Sequence, residues 1–310
     1  MIDHRPVITV VGSFAVGLTL RAPRFPVAGE TLVGSDFDMG PGGKGSNQAV
    51  AAARLGAESH LVAVIGADAF GQVALDLYRA EMVEATRVRR TPERNTGVGF
   101  IILNAAGENQ IILDMGANHL LAPEDVDRAE DLIAGSDAVL SVLEIAPATA
   151  ARAMTLGRRH QVTTLLNPAP AQFLDDGLLA SVDVLTPNES ELRILSGLAP
   201  DDPTPTLELA HRLQRRGVRQ LVVTRGSQGA LVVTADGATH AVPGVPVEVV
   251  DTTGAGDAFT SALAVALAEK QPLLEAVRFA TVAGALACTH LGVIPALPSR
   301  AEVEALKKTV

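Results

Sequence analysis

The stretch with the clearest chemical potential is residues 249–259, VVDTTGAGDAF, where a β-branched run meets a glycine-rich turn and a helix-forming segment. The first N–H groups of a helix lack intrahelical acceptors and carry the positive end of the helix dipole, so they bind anions. Gly254 and Gly256 would let the backbone approach a phosphate, and Asp257 falls in the first turn. A carboxylate there can accept a proton from an alcohol while neighbouring N–H groups stabilise a transferring phosphoryl group. Ordinary helix capping is the alternative.

Residues 40–48, GPGGKGSNQ, form a second glycine-rich stretch. Its glycines match G-x-G-x-x-G, but the stretch does not follow the first predicted strand and no acidic residue ends a second strand about 20 residues on, which excludes a dinucleotide site. It also lacks the Ser or Thr that follows Lys in a P-loop. The stretch can still serve as a ligand site, because its backbone can approach a ligand closely. Lys44 could neutralise an anion there, and Asn47 could bind hydroxyls. A tight turn with a helix cap is the alternative.

Further polar residues follow predicted strands. Asn188 and Glu191 have the spacing of a near capping box, and they could also orient hydrated magnesium near a nucleotide. Residues 224–229, TRGSQG, end a strand with a polar loop of the kind that binds nucleotides at the carboxyl ends of parallel strands. Glu144 ends another strand and could face the same crevice.

The elements that must position these residues alternate along the chain. Strands are predicted at 7–11, 61–65, 138–143, 163–166, 183–186 and 221–224. Helices are predicted at 46–55, 70–82, 124–133, 148–159, 189–195, 257–269 and 273–288. Strands separated by helices of about 10–15 residues indicate βαβ units and a mainly parallel sheet.

Two regions break this alternation. Residues 97–114 predict a hairpin, and residues 18–39 are strand-like but rich in Pro, Gly and Arg. We interpret both as one small β-sheet that forms a lid over the α/β body, with ordinary surface hairpins as the alternative. We therefore expect a single domain over residues 1–310, with the lid at about 15–40 and 96–115. A further hairpin is predicted at 230–242.

Composition narrows the class of partner. The 310 residues include 25 Lys and Arg and 35 Asp and Glu, a formal net charge of −10. This acidic balance disfavours nucleic acid. No run of 18 apolar residues predicts a membrane-spanning helix. The single cysteine, Cys288, excludes a disulfide framework and a Cys-based zinc cluster. With no targeting signal visible, we expect a cytoplasmic protein that binds small molecules.

Taken together, these stretches resemble the ribokinase family, the PfkB-type carbohydrate kinases, over nearly the whole chain. Residues 42–57, GGKGSNQAVAAARLGA, are similar to the family's first signature, and residues 249–259 to its second. TPNESE is similar to the family's N-x-x-E motif and VTRGSQGA to its nucleotide loop. The resemblance implies a three-layer α/β/α body with a mainly parallel central sheet, and a β lid through which a homodimer forms. It implies ATP-dependent phosphorylation of a sugar hydroxyl with Mg²⁺, D-ribose being the default substrate.

The resemblance also implies roles for individual residues. Asp257 would be the catalytic base, and the N–H groups of Gly254, Ala255, Gly256 and Asp257 would form an anion hole. The sugar would be bordered by Gly42, Gly43, Lys44, Asn47, Glu144 and Asp257. The nucleotide would be bordered by Asn188, Thr224, Gly226, Ser227, Gly229, Gly256 and Thr281. Glu191 would act on Mg²⁺ through water. K⁺ would be held, mostly by backbone carbonyls, at Asp251, Thr253, Ala287, His290, Gly292 and Ala296, the last of which lacks the hydroxyl that ribokinases often offer.

The end of the first strand departs from the family pattern. Ribokinases usually carry Gly-Ser-x-Asn-x-Asp there, with the Asn and Asp on ribose hydroxyls, whereas this chain has Ala15 and Gly17 at those positions. A site built to bind a hydroxyl discriminates by about 10⁴–10⁵. A nucleoside, another sugar or a sugar acid is therefore the alternative substrate, and Arg21 and Arg24 of the lid could meet an acidic group. From a different class, a non-catalytic sugar or nucleotide sensor is the alternative.

Overall fold

The computed structural model describes residues 5–309, which form thirteen strands and twelve α-helices. The strands are β1 (Val7–Val11), β2 (Ala15–Arg21), β3 (Ser35–Gly42), β4 (Glu58–Gly66), β5 (Val83–Thr91), β6 (Gly97–Leu103), β7 (Asn109–Asp114), β8 (Ala138–Val142), β9 (Thr163–Asn167), β10 (Val184–Leu185), β11 (Gln220–Thr224), β12 (Ala230–Val233) and β13 (Thr239–Val242). The helices are α1 (Lys44–Arg54), α2 (Ala69–Ala80), α3 (Pro123–Asp127), α4 (Glu130–Ala134), α5 (Pro147–Arg159), α6 (Asp176–Ala180), α7 (Glu189–Leu195), α8 (Thr206–Arg215), α9 (Ala255–Ala268), α10 (Leu273–Ala287), α11 (Val293–Ala296) and α12 (Arg300–Lys307).

Nine strands form one large sheet in the order β13-β12-β11-β10-β9-β8-β1-β4-β5. The seven strands from β11 to β5 pair in parallel, and β12 and β13 add antiparallel at one edge as the predicted hairpin. The carboxyl ends of the parallel strands therefore lie along one edge of the sheet. The loops that follow β1, β8, β9, β10 and β11 meet there, which is where α/β proteins bind ligands.

Helices cover both faces of this sheet. In β4, Leu61, Ala63 and Ile65 belong to one buried cluster, whereas Val62 and Val64 belong to a second. The first cluster includes residues of α1, α2, α9, α10 and α12, and the second includes residues of α3 to α8. A strand whose side chains alternate between two cores must lie in the middle layer of three. The three-layer α/β/α architecture is confirmed. No helix among the described residues is long and apolar enough to cross a bilayer.

The two irregular regions form a separate four-stranded sheet in the order β3-β2-β6-β7. β2 pairs antiparallel with β3 and parallel with β6, and β6 forms a hairpin with β7. The four strands come from the segments that sequence analysis assigned to the lid. We refer to this sheet as the lid.

The element predictions fail in a few places. Residues 83–91 form an edge strand that was not predicted, because its arginines hide the period-two pattern of a half-exposed strand. The helix predicted at 124–133 is two short helices, α3 and α4. β10 is two residues shorter than predicted, although the N–H groups of the flanking Asp183 and Thr186 still donate to Thr164 O and Leu166 O of β9, at 3.1 and 3.0 Å.

Candidate active site

Asp257 lies in the first turn of α9 and is almost fully buried, with 4% of its surface exposed. Two side-chain amides hold its carboxylate. Asn47 Nδ2 donates to Oδ2 at 2.8 Å, and Gln48 Nε2 donates to Oδ1 at 3.1 Å. Two donated hydrogen bonds fix the orientation of the carboxylate. Asp257 is thus positioned as a proton acceptor.

Helix α1 supplies both amides and the nearby cation. Lys44, Asn47 and Gln48 are spaced i, i+3 and i+4, so they lie on one face of the helix. The helix can approach the end of β1 only because residue 45 is glycine, since a Cβ there would lie 2.2 Å from Ser13 N. The early glycine-rich stretch therefore allows α1 to pack closely against the end of β1, which places this face of α1 in the site.

Glu144 ties the loop after β8 to the loops after β1 and β3. Its Oε2 accepts from Ser13 Oγ at 2.5 Å and from Lys44 N at 2.8 Å. Burial raises the pKa of Glu144 above its ordinary value, although these two donors work against that shift. The geometry gives Glu144 a role in holding the start of α1.

The electrostatics of the site favour an added cation. The charge of Asp257, followed by those of Glu144 and Glu191, raises the pKa of Lys44, against the effect of burial. Burial raises the pKa of Glu191 as well. Three acidic residues thus act on one ammonium group, and a polyphosphate would approach their negative charge without a compensating cation.

The amino end of α9 is built to receive an anion. Gly254 is left-handed, with φ of 83°, and a Cβ there would lie 2.6 Å from Val293 Cγ1. The Ala258 N–H is bonded to the Gly254 carbonyl at 2.9 Å, so the N–H groups of Gly256 and Asp257 precede the first intrahelical bond. Gly256 is exposed, and nothing lies within 4 Å of its Cβ position. The predicted anion hole therefore has free donors at Gly256 and Asp257, whereas the Ala255 N–H already donates to Thr252 O at 3.3 Å.

The predicted nucleotide-side residues lie on neighbouring loops. Asn188 bridges to Thr224, which joins the start of α7 to the end of β11. Asn188 and Glu191 form a full capping box, with both bonds at 2.8 Å. The capping alternative is thus correct for these two residues, and a nucleotide role for them stays a prediction. Gly226 and Ser227 lie in the short 3-10 turn Gly226–Gln228, which the left-handed Gly229 ends, and Thr281 Oγ1 bonds to Val277 O at 2.8 Å within α10.

The predicted potassium loops are held together by one carboxylate. Asp251 Oδ1 accepts from Thr253 N at 2.9 Å, and Oδ2 accepts from Gly292 N at 3.1 Å. Ala287 is buried at the end of α10, and His290 is exposed with its ring bonded to a neighbouring threonine. No group of three or more His, Cys, Asp or Glu that could hold a metal occurs in residues 5–309. A cation here would therefore depend on backbone carbonyls.

Sequence analysis missed three residues of this site. Gln48 bridges Asp257 and Asn167 Oδ1, the latter at 3.2 Å, and Asn167 Nδ2 donates to Thr186 O at 3.1 Å. Ser13 links Glu144 to Gly45. Gln48 could have been found from its i+4 spacing to Lys44, and Asn167 and Ser13 from their places at or just after the ends of parallel strands.

The site combines a buried carboxylate with an open helix amino terminus at the carboxyl edge of a parallel sheet. This is the arrangement of a phosphotransferase that acts on an alcohol. The model of the pfkB family of carbohydrate kinases matches residues 6–300, and the chain belongs to that family. It is therefore a sugar kinase, as the sequence motifs predicted.

Individual relatives cover almost the whole chain. It is 36% identical over 298 residues to a ribokinase of Haemophilus influenzae, covering 96% of this chain and 97% of that protein. It is also 36% identical over 293 residues to a deoxyribokinase of Salmonella typhimurium, covering 94% and 95%. The solved structure of Arabidopsis thaliana ribokinase complexed with ribose and ATP has a TM-score of 0.92 at 31% identity, covering 98% of this chain and 99% of that chain.

Proposed function

We propose that this enzyme transfers the terminal phosphoryl group of ATP to a hydroxyl of a pentose, with D-ribose as the default substrate. The observation that carries the proposal is the buried Asp257 carboxylate, held by two amides beside the open amino end of α9. The Arabidopsis relative was solved with ribose and ATP, which supports both substrates.

The reaction uses groups that are already in place. The Asp257 carboxylate accepts the proton of the attacking hydroxyl, whose oxygen forms the new bond to phosphorus as ADP leaves. The free N–H groups of Gly256 and Asp257 stabilise charge on the transferring phosphoryl group. Asn47 is buried and its Oδ1 has no hydrogen-bond partner among the described residues. We assign that oxygen to a sugar hydroxyl, since a buried acceptor without a donor is costly.

Mg²⁺ and K⁺ are part of the proposal. Mg²⁺ keeps several waters and neutralises phosphate charge when bound, which fits Glu191 acting through water in a site with more carboxylates than ammonium groups. K⁺ would sit between the loops that Asp251 ties together and would add positive charge near the anion hole. Ala296 offers this cation no side-chain oxygen.

The lid gives a reason to test sugars other than ribose. Ala15 is opposite Gly42 and Gly97, and Gly17 is opposite Gly40 and Gly99, so six adjoining positions on one face carry at most a methyl group. A Cβ at Gly17 would make only ordinary contacts, at 3.7 Å to Gly40 O and 3.9 Å to Ile101 Cδ1. The structure therefore has room for a Cβ at position 17. This observation favours a pentose with fewer hydroxyls, or a nucleoside, as the second candidate.

The lid also supports a homodimer. On the opposite face, Met39, Leu18, Phe100 and Ile112 form one row across all four strands, and Phe100 and Ile112 are 52% and 73% exposed. A second copy of this chain would cover that row. A cytoplasmic location, where ATP is abundant, completes the proposal.

The experiment is a coupled ADP-release assay with D-ribose, 2-deoxyribose, hexoses, sugar acids and nucleosides, with and without potassium. We expect turnover on a pentose. Turnover on 2-deoxyribose but not ribose would keep the mechanism and replace the default substrate. Binding of a sugar with no ADP release from any compound would contradict the proposal and favour a sensor.

A further inference from the structure

A second concave site lies at the amino edge of the large sheet, opposite the edge that carries Asp257. It is a cleft of about 470 Å³ where β9, β10 and β11 begin and where α5 and α9 end. The proposed reaction uses none of its residues. Its lining includes two arginines, Arg158 and Arg219, on either side of Asp183.

The Asp183 carboxylate lies beside both guanidinium groups and accepts a hydrogen bond from that of Arg158. Its Oδ1 accepts from Arg158 Nη1 at 2.5 Å and lies 3.5 Å from Arg219 Nη1. Its Oδ2 accepts from Thr164 N at 3.0 Å, and both carboxylate oxygens therefore have a donor. Each guanidinium has five N–H donors and gives Asp183 only one nitrogen, and the two arginine side chains are 46% and 61% exposed. Most of their donors therefore remain available to a ligand.

The charge of the cleft contrasts with that of the protein. The chain carries a net charge of −10, yet the cleft lining has two guanidinium groups and one carboxylate. Paired guanidinium groups are the preferred protein donors for phosphate, because their planar forks match its oxygens. An anion would thus find a local positive site on an acidic surface.

The remaining lining suits a sugar better than a bare anion. Gln161, Thr163 and Gln220 offer amide and hydroxyl groups for sugar hydroxyls, and Leu267 offers an apolar wall. Gln161 also holds the left-handed position after α5, with φ of 60°, where glycine or asparagine is usual. The left-handed conformation of Gln161 costs stability, and the side-chain amide of this residue lines the cleft. We propose that this cleft binds a phosphorylated sugar, whose phosphate accepts from those N–H groups of Arg158 and Arg219 that Asp183 leaves free.

The test is hydrogen–deuterium exchange of the intact enzyme with ribose 5-phosphate and, separately, inorganic phosphate. We expect ribose 5-phosphate to protect amides around residues 159–164 and 218–221. Arg158→Gln and Arg219→Gln should each weaken this protection about tenfold in apparent affinity, as expected for one charge-assisted hydrogen bond. Arg219→Lys, which keeps the charge but loses the fork, should weaken it less.

Arg159→Gln is the matched control, because Arg159 is the next residue of α5 but pairs with Glu130 outside the cleft, at 3.3 Å. The affinity of Arg159→Gln for ribose 5-phosphate should match that of the wild type. Protection confined to the segments around Asp257, or equal losses in the Arg158 and Arg159 variants, would overturn the proposal. Equal affinity for inorganic phosphate would overturn the assignment to a phosphorylated sugar. All of these outcomes are independent of which sugar the active site phosphorylates.

Discussion

At the scale of single residues, Asp257 is the group whose removal should separate chemistry from binding. Asp257→Asn keeps the size of the side chain and an oxygen for one of the two amides, but it removes the proton acceptor. We expect kcat to fall by about 10²–10⁴ while ATP affinity changes little. Steady-state kinetics and calorimetric titration of ATP measure the two effects.

The control for this variant is Asp76→Asn, an exposed carboxylate of α2 that pairs with Arg79 at 3.1 Å. It should leave both quantities unchanged. Turnover of Asp257→Asn at the wild-type rate would show that another group takes the proton.

Glu144 should make stability depend on pH. Burial raises the pKa of Glu144 above its ordinary value of 4.5, so the folded state holds this proton more tightly than the unfolded state. The stability that this proton contributes is fully present below pH 4.5 and is lost as pH rises through the folded-state pKa. Glu144→Gln does not titrate, so its free energy of unfolding should fall less across that window. Urea unfolding at a series of pH values measures the difference.

The exposed Glu248 provides the comparison, since Glu248→Gln should follow the wild-type pH profile. Parallel profiles for Glu144→Gln and the wild type would show that Glu144 titrates as it would in water.

At the scale of elements, replacing each of the two glycines at the start of α9 by alanine should change stability in opposite directions. Gly254→Ala forces a side chain into the left-handed region and towards Val293, and should lower the free energy of unfolding by at least about 1–2 kcal/mol. Gly256→Ala adds a methyl group in open space within the helix and should hold or raise stability by up to about 1 kcal/mol. Denaturant unfolding of the two variants measures these changes in the free energy of unfolding. Equal losses would mean that the loop before α9 can move away from Val293.

Strand β2 offers a test of sugar selectivity at the same scale. Gly17→Asp with Ala15→Asn places polar groups on the bare face of the lid, where the structure leaves room. Each bond to a hydroxyl of ribose should raise kcat/KM for ribose about tenfold. The kcat/KM for 2-deoxyribose should rise less, so the ratio of the two is an internal control. No change in that ratio would mean that selectivity lies elsewhere in the site.

At the scale of the whole molecule, sequence predicts the site and the segments that form the lid, but not how the lid strands pair. Lys44, Asn47, Glu144 and Asp257 could be assigned to one place because motifs after parallel strands meet at one edge of a sheet. The parallel pairing of β2 with β6 joins segments about eighty residues apart, and neither segment has a local signal for its partner. Long-range pairings of that kind depend on the packing of the complete fold.

The lid also carries the proposed homodimer, in which a second copy would cover its exposed apolar row. Phe100→Glu would place a charge in the middle of that row, beside Leu18 and Ile112, and should shift the dimer towards monomer. Ile111→Glu is the matched control, since Ile111 is equally exposed at 52% but lies on the opposite face of the same sheet. Sedimentation velocity should show dissociation for Phe100→Glu only. Dissociation of Ile111→Glu alone would place the interface on the other face, where it would cover the bare patch at Ala15 and Gly17, and dissociation of both variants would contradict an interface confined to the row at Phe100.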